Sequence, residues 1–139
     1  MFKQYLFCFG LLCLLFPMIG CGNGKCSLKG TVVFSDDQTP LDGGQICLVS
    51  EHGIARGGMD QNGHYVVGSV GANDGLPPGK YRIYFMETEL FEPVPGGGLP
   101  KMVMRIDPKY SNAETSGLSV EVKSSMTHDI QLDRFVSPR

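Results

Sequence analysis

No tryptophan occurs anywhere in this chain of 139 residues, and no long run of charge of either sign. The first absence removes the broad flat indole most prominent in sugar-binding aromatic platforms. With 12 basic and 14 acidic residues scattered along the sequence, there is no basic stripe to track nucleic acid and no polybasic tail for lipid headgroups. After residue 21 no window of eleven residues keeps a helical apolar face, which excludes a helix bundle. The three histidines, His52, His64 and His128, stand at no spacing that zinc or copper sites use. Asp60, Asn62 and Gly63 resemble the opening of a calcium loop, but Tyr65 and Gly71 occupy the positions that need glycine and a bidentate glutamate. No Gly-x-Ser-x-Gly elbow is present. The residues therefore specify no metal, no cofactor and no catalytic constellation.

What the N-terminus has in abundance is apolar surface. One charge, Lys3, precedes an apolar stretch from Tyr5 to Phe16, and no further charge appears before Cys21. A spanning helix needs about 20 apolar residues, and this run is shorter and breaks at Pro17, so it reads as a signal peptide over residues 1–20. Met18-Ile19-Gly20-Cys21 resembles the bacterial lipobox, with Met18 in place of the usual Leu or Val. The resemblance implies cleavage after Gly20, lipidation of Cys21 and anchoring to the cell membrane or outer membrane. Gly22 at the next position implies the outer membrane in bacteria that sort by that residue. Two or three acyl chains would hold such a protein stably, at about 0.8 kcal/mol per buried methylene.

Of five cysteines, Cys8 and Cys13 leave with the signal and Cys21 is acylated. Cys26 and Cys47 remain as a pair available for a disulfide in an oxidising envelope. Strand parity sets them on opposite faces if both lie in regular strand, so both alternatives stand.

Beyond a flexible tether at 21–26 the period is two. Leu28, Val32 and Phe34 share one face, and Gly30 falls on the same inward side, where another backbone can approach closely. Further strands are expected around Ile46 and Leu48, from Ile54 to Met59, and at Tyr65 and Val67 after the turn Asp60-Gln61-Asn62-Gly63. Pro77-Pro78-Gly79 launches the clearest strand, in which Tyr81, Ile83 and Phe85 alternate with Arg82, Tyr84 and Met86. Leu118, Val120 and Val122 mark another, and Ile130 and Leu132 are expected to close a hairpin with it across Ser124-Ser125. This gives an all-β fold over residues 27–139: a single antiparallel sandwich of about seven strands.

Residues 88–107 interrupt the rhythm with Pro93, Pro95, Gly96-Gly97-Gly98 and Pro100. A loop of this length is usually functional or unstructured. Within it, Phe91, Leu99 and Met102 are candidate apolar anchors, rimmed by Glu89, Glu92 and Lys101.

Gly30-Thr31-Val32, the Asp60 to Gly63 turn, Leu76-Pro77-Pro78-Gly79-Lys80-Tyr81, Pro108-Lys109-Tyr110 and Thr115-Ser116-Gly117-Leu118 occur in the order seen in short bacterial lipoproteins. They resemble the carboxypeptidase regulatory-like, or transthyretin-like, domain over Cys26 to Leu132. That resemblance implies a sandwich that is generally a non-catalytic envelope module. Transthyretin-like hydrolases use strand histidines and an arginine and end in a Tyr-Arg-Gly-Ser type tail, whereas this chain ends Asp133-Arg134-Phe135-Val136-Ser137-Pro138-Arg139.

The expectation is thus a lipid-anchored, non-enzymatic envelope sandwich that makes protein or glycan contacts. The alternative is a carbohydrate- or small-ligand-binding module built on Tyr65, Tyr81, Tyr84 and Tyr110, and a hydrolase comes last.

Overall fold

The computed structural model describes residues 24–69, 71 and 74–139. The signal peptide at 1–20 and the lipidation site Cys21 lie outside the described residues. Ten strands follow in order: β1 (Leu28–Phe34), β2 (Gln45–Ser50), β3 (Gly53–Gly58), β4 (His64–Val67), β5 (Gly79–Met86), β6 (Leu90–Glu92), β7 (Lys101–Val103), β8 (Leu118–Val122), β9 (Met126–Thr127) and β10 (Ile130–Leu132). A single turn of 3₁₀ helix spans Pro108–Ser111, and Asp107 caps it by accepting from the Lys109 backbone N–H. The seven expected strands are all present; β6, β7 and β9 are additional.

One sheet has the order β10-β1-β4 with β9 also beside β1, and the other has the order β3-β2-β5-β8. Period-two sequence accounts for their facing sides. Leu28, Val32 and Phe34 of β1 and Tyr81, Ile83 and Phe85 of β5 are all buried, whereas Lys29 and Arg82 between them are exposed. Leu41, Leu76, Ile106 and Tyr110 from the connections complete the core. Burying each large apolar side chain is worth about 1.5–3 kcal/mol, which makes this shared layer the main source of stability.

Two features depart from the sequence expectation. The C-terminal strand does not form a hairpin with β8: β8 pairs with β5, while β10 runs parallel to β1 with Val32 opposite Ile130 and Phe34 opposite Leu132. The chain crosses between sheets at Ser124-Ser125, where the Ser27 backbone N–H donates to Ser125 Oγ and the Met126 N–H to the Ser27 carbonyl. The first sheet is consequently mixed, not purely antiparallel. Residues 88–107 are also not an unstructured excursion, because β6 and β7 pair within them.

The other edges of the two sheets meet at β3 and β4. Isolated bridges link Arg56 to Gly68 and Met59 to Tyr65. A Cβ on Gly57 would lie 2.3 Å from the Val66 carbonyl oxygen, so glycine is what lets the two backbones come this close. Gly30 meets the same demand on β1, where a Cβ would stand 2.0 Å from the His128 carbonyl oxygen. That carbonyl accepts from the buried Tyr65 hydroxyl at 2.5 Å.

Strand directions define two poles. The first described residues enter at one, where Cys26 and Leu76 exchange backbone hydrogen bonds of 2.7 and 2.8 Å and the Lys25 ammonium pairs with Asp74 at 2.9 Å. At the far pole the end of β10 is tied to the end of β1. The Arg134 guanidinium lies 3.8 Å over the Phe34 ring and pairs with Asp36 and Asp37, while Asp133 accepts from Lys109, Tyr110 and Ser35. The Lys109 ammonium, followed by the Tyr110 and Ser35 hydroxyls, brings the Asp133 carboxyl down from 3.8 to about 2. Hydrogen bonds from Thr39, and then Arg134, hold Asp37 well below the usual carboxylate range.

Both Cys26 and Cys47 are free, buried thiols, so the sequence alternative of a disulfide is not what the structure contains. Cys26 belongs to the core cluster. Cys47 points the other way from Ile46 and Leu48, between its cross-strand partners Arg56 and Tyr84. Burial pushes the Cys47 thiol up and outweighs the opposing influence of Tyr84 and Arg56, so it is not poised as a thiolate.

Three outcomes are expected. Gly30→Ala should cost about 1–3 kcal/mol in urea unfolding because its methyl meets fixed backbone, whereas Gly58→Ala, with nothing within 4 Å of the new Cβ, should stay within about 0.5 kcal/mol. Alkylation under denaturing, non-reducing conditions should label both Cys26 and Cys47, with little labelling of either in the native protein. The Asp133 contribution is complete above its unfolded value of 3.8 and lost as pH falls towards about 2. Acid unfolding followed by near-UV circular dichroism should therefore be shallower across that window in Asp133→Asn.

Candidate interaction site

β5 leaves its sheet at Glu87, a non-glycine residue in the left-handed region at φ 56°. The next residue, Thr88, is buried, with its methyl close to Gly44. The Gln45 side-chain amide donates to Glu87 Oε2 at 2.9 Å and fixes this first leg. The returning leg is held equally firmly. The Arg105 guanidinium donates to the Asp42 carbonyl at 2.7 Å and pairs with its carboxylate. Ile106 is buried, and the backbones at Arg105 and Asp107 bond to Phe135 and Asp133 at 3.0 Å.

Between these anchors the chain stands in solvent. β6 and β7 pair antiparallel, with Leu90 opposite Val103, Phe91 opposite Met102 and Glu92 opposite Lys101. The tip turns through Gly96, Gly97 and Gly98, all at positive φ, and Gly97 donates to the Val94 carbonyl. Every residue from Leu90 to Met102 is exposed. Phe91 keeps 68%, Leu99 90% and Met102 56% of their accessible surface, and Leu90 and Val94 add further apolar area. The structure thus sets Phe91 beside Met102 across the ladder, with Leu99 in the turn beyond them. Five exposed apolar side chains on one clamped hairpin are more than a solvated loop needs, which makes this hairpin the candidate interaction site.

A second feature lies on the outer face where β3 meets β4. It is an open groove of about 840 Å³ lined by Ile54, Arg56, Gly58, His64 and Val66 among others. Its polar lining includes Gln45, Arg56, Asp60, Ser69 and His64, whose Nδ1 lies 3.4 Å from Asp60 Oδ2. Backbone N–H groups of His64 and Asn62 donate to Asp60 and lower its pKa, as expected of a turn-capping carboxylate. Nothing in the sequence pointed to this groove, although Gly58, where a Cβ would meet open space, is visible as a glycine inside strand pattern.

The tyrosine platform is not assembled. Tyr65, Tyr81 and Tyr110 are buried, and the Tyr110 hydroxyl bonds to Asp133 at 3.0 Å. Tyr84 alone is partly open, and it lies opposite Cys47 on the neighbouring strand. His52 and His128 stand apart from His64, and among the described residues no group of three acidic, histidine or cysteine side chains is placed to hold a metal ion.

No protein-family model matches the chain, and no curated protein matches it. Among solved structures, the chain is similar to the major pilin subunit of Bacillus cereus at 16% identity and a TM-score of 0.42, over 79% of this chain and 30% of that one.

Proposed function

We propose that this chain is a lipid-anchored, non-enzymatic β-sandwich of the cell envelope that presents the β6–β7 hairpin to a protein partner. The observation that carries this reading is the placement of the hairpin. It projects from the pole opposite the one where the chain enters from the Cys21 side, separated by the length of β1, about 20 Å at 3.3 Å per residue. An anchor on Cys21 then leaves Phe91, Leu99 and Met102 facing away from the bilayer. The order of turns and strands supports a domain of the carboxypeptidase regulatory-like type. Burial of three of the four tyrosines favours a protein partner over a sugar stacked on aromatics. The Arg56 groove favours, as a second reading, a small polar ligand on the β3–β4 face.

Two variants of the full-length protein in its native envelope test this. Cys21→Ser should move the protein from the membrane to the soluble fraction, since the acyl chains supply the attachment. Replacing residues 89–100 by a short Gly-Ser turn should leave membrane association and circular dichroism unchanged but abolish its crosslinked partner. Retention of the same partner after hairpin replacement would sink the hairpin reading and turn attention to the Arg56 groove.

A further inference from the structure

Two short strands that pair only with each other are marginal in water, and a third strand is what usually makes such a ladder secure. β6 and β7 pair with no other strand among the described residues, so each offers a free edge of backbone donors and acceptors. Resting on the hairpin reading above, we propose that the free edge of β6 takes an extended, basic segment of a partner protein as an added strand, with apolar side chains of that segment covering Phe91 and Met102.

The charge around the hairpin selects both the edge and the partner. β6 is flanked by Glu87 and Glu89 and ends in Glu92, whereas β7 begins at Lys101. The other cations of this pole are already committed: Arg105 to Asp42, Lys109 to Asp133, and Arg134 to Asp36 and Asp37. Glu87 is turned to the Gln45 amide and Glu92 lies opposite Lys101, but neither Glu89 nor Glu92 forms an ion pair within 4 Å among the described residues, so the β6 leg, with Glu89 and Glu92, carries more negative than positive charge. Lysine or arginine in an added strand would meet these glutamates, each opposite-charge cross-strand pair contributing in the way such pairs do within sheets. The same acidic rim disfavours an anionic bilayer, and a second copy would bring like charge against like. Backbone pairing supplies affinity and the alternating side chains supply selectivity, as in other strand-addition complexes.

The test uses the full-length protein in detergent micelles and a random peptide library displayed on phage. Expected are peptides in which lysine or arginine alternates with apolar residues. Their binding should fall about tenfold or more in Glu89→Lys/Glu92→Lys and again when salt is raised from about 0.05 to about 0.5 M. Phe91→Ser/Met102→Ser should lose the same peptides. N-methylation at one alternate set of peptide positions should abolish binding and at the other set leave it intact, a pattern that only strand addition produces. Peptides lacking basic residues, or binding indifferent to the charge reversal or to both methylation sets, would overturn the proposal. So would a Phe91-dependent affinity for phosphatidylcholine–phosphatidylglycerol vesicles, or a Phe91-dependent dimer in sedimentation velocity, in place of peptide binding. Failure here with the crosslinked partner still lost on hairpin replacement would leave the hairpin reading standing; retention of that partner would remove both.

Discussion

Strand β1 is the member on which the rest of the structure depends, because among the described residues it joins the first sheet's β4 to the C-terminal strands β9 and β10. β4 lies on one side of it and β9 and β10 on the other. Its inward face carries Leu28, Val32 and Phe34, and Gly30 among them leaves room for the His128 carbonyl. Tyr65 from β4 passes under that gap and donates to the same carbonyl. One missing side chain thus lets three strands close round a single buried hydrogen bond. A methyl there would push β10 outward and strand the tyrosine hydroxyl, and a buried unpaired hydroxyl costs about 1–3 kcal/mol.

The same strand explains why the far pole is stiff enough to carry a projection. Phe34 ends β1 under the Arg134 guanidinium, whose charge is shared with Asp36 and Asp37 in the following turn. Asp133, next to Arg134, gathers Lys109, Tyr110 and Ser35. The charged members of these pairs are exposed or half-exposed, so each ion pair is individually weak. Together they lock the C-terminal strand onto the returning leg of the hairpin, where Ile106 bridges Arg134.

Parity made much of this legible in sequence. Alternation in Leu28 to Phe34 and Tyr81 to Phe85 is unbroken, so the buried faces of β1 and β5 could be assigned, and Gly30 could be read as a close approach because it interrupts an inward row. Parity says nothing about which strand lies beside which. Val122 and Ile130 are separated by a few turn residues, the usual sign of a hairpin, yet they belong to different sheets because Ser125 and Met126 bind Ser27 and carry the chain across. Parity is equally silent on the burial of Cys47, which points away from Ile46 and Leu48 and is nevertheless buried between Arg56 and Tyr84 on the neighbouring strands. The hairpin of β6 and β7 was hidden by its own composition. Prolines at 93, 95 and 100 mark strand ends as readily as they mark a loop, and three residues per strand are too few to display a period.

An apolar hairpin in water is a liability that folding alone does not require. The core is complete without it, since no residue from Leu90 to Met102 is buried. Exposed strand edges with large apolar side chains invite aggregation unless charge guards them. Glu89 and Glu92 on the β6 leg are placed where such a guard would be, and like charge there would oppose the pairing of two copies. On the proposed reading, the same charges that would repel a second copy leave the edge open to a chain of opposite charge. A rigid base, an apolar ladder and an acidic edge are together the requirements for a selective strand-addition site, and none of the three is explained by the stability of the sandwich.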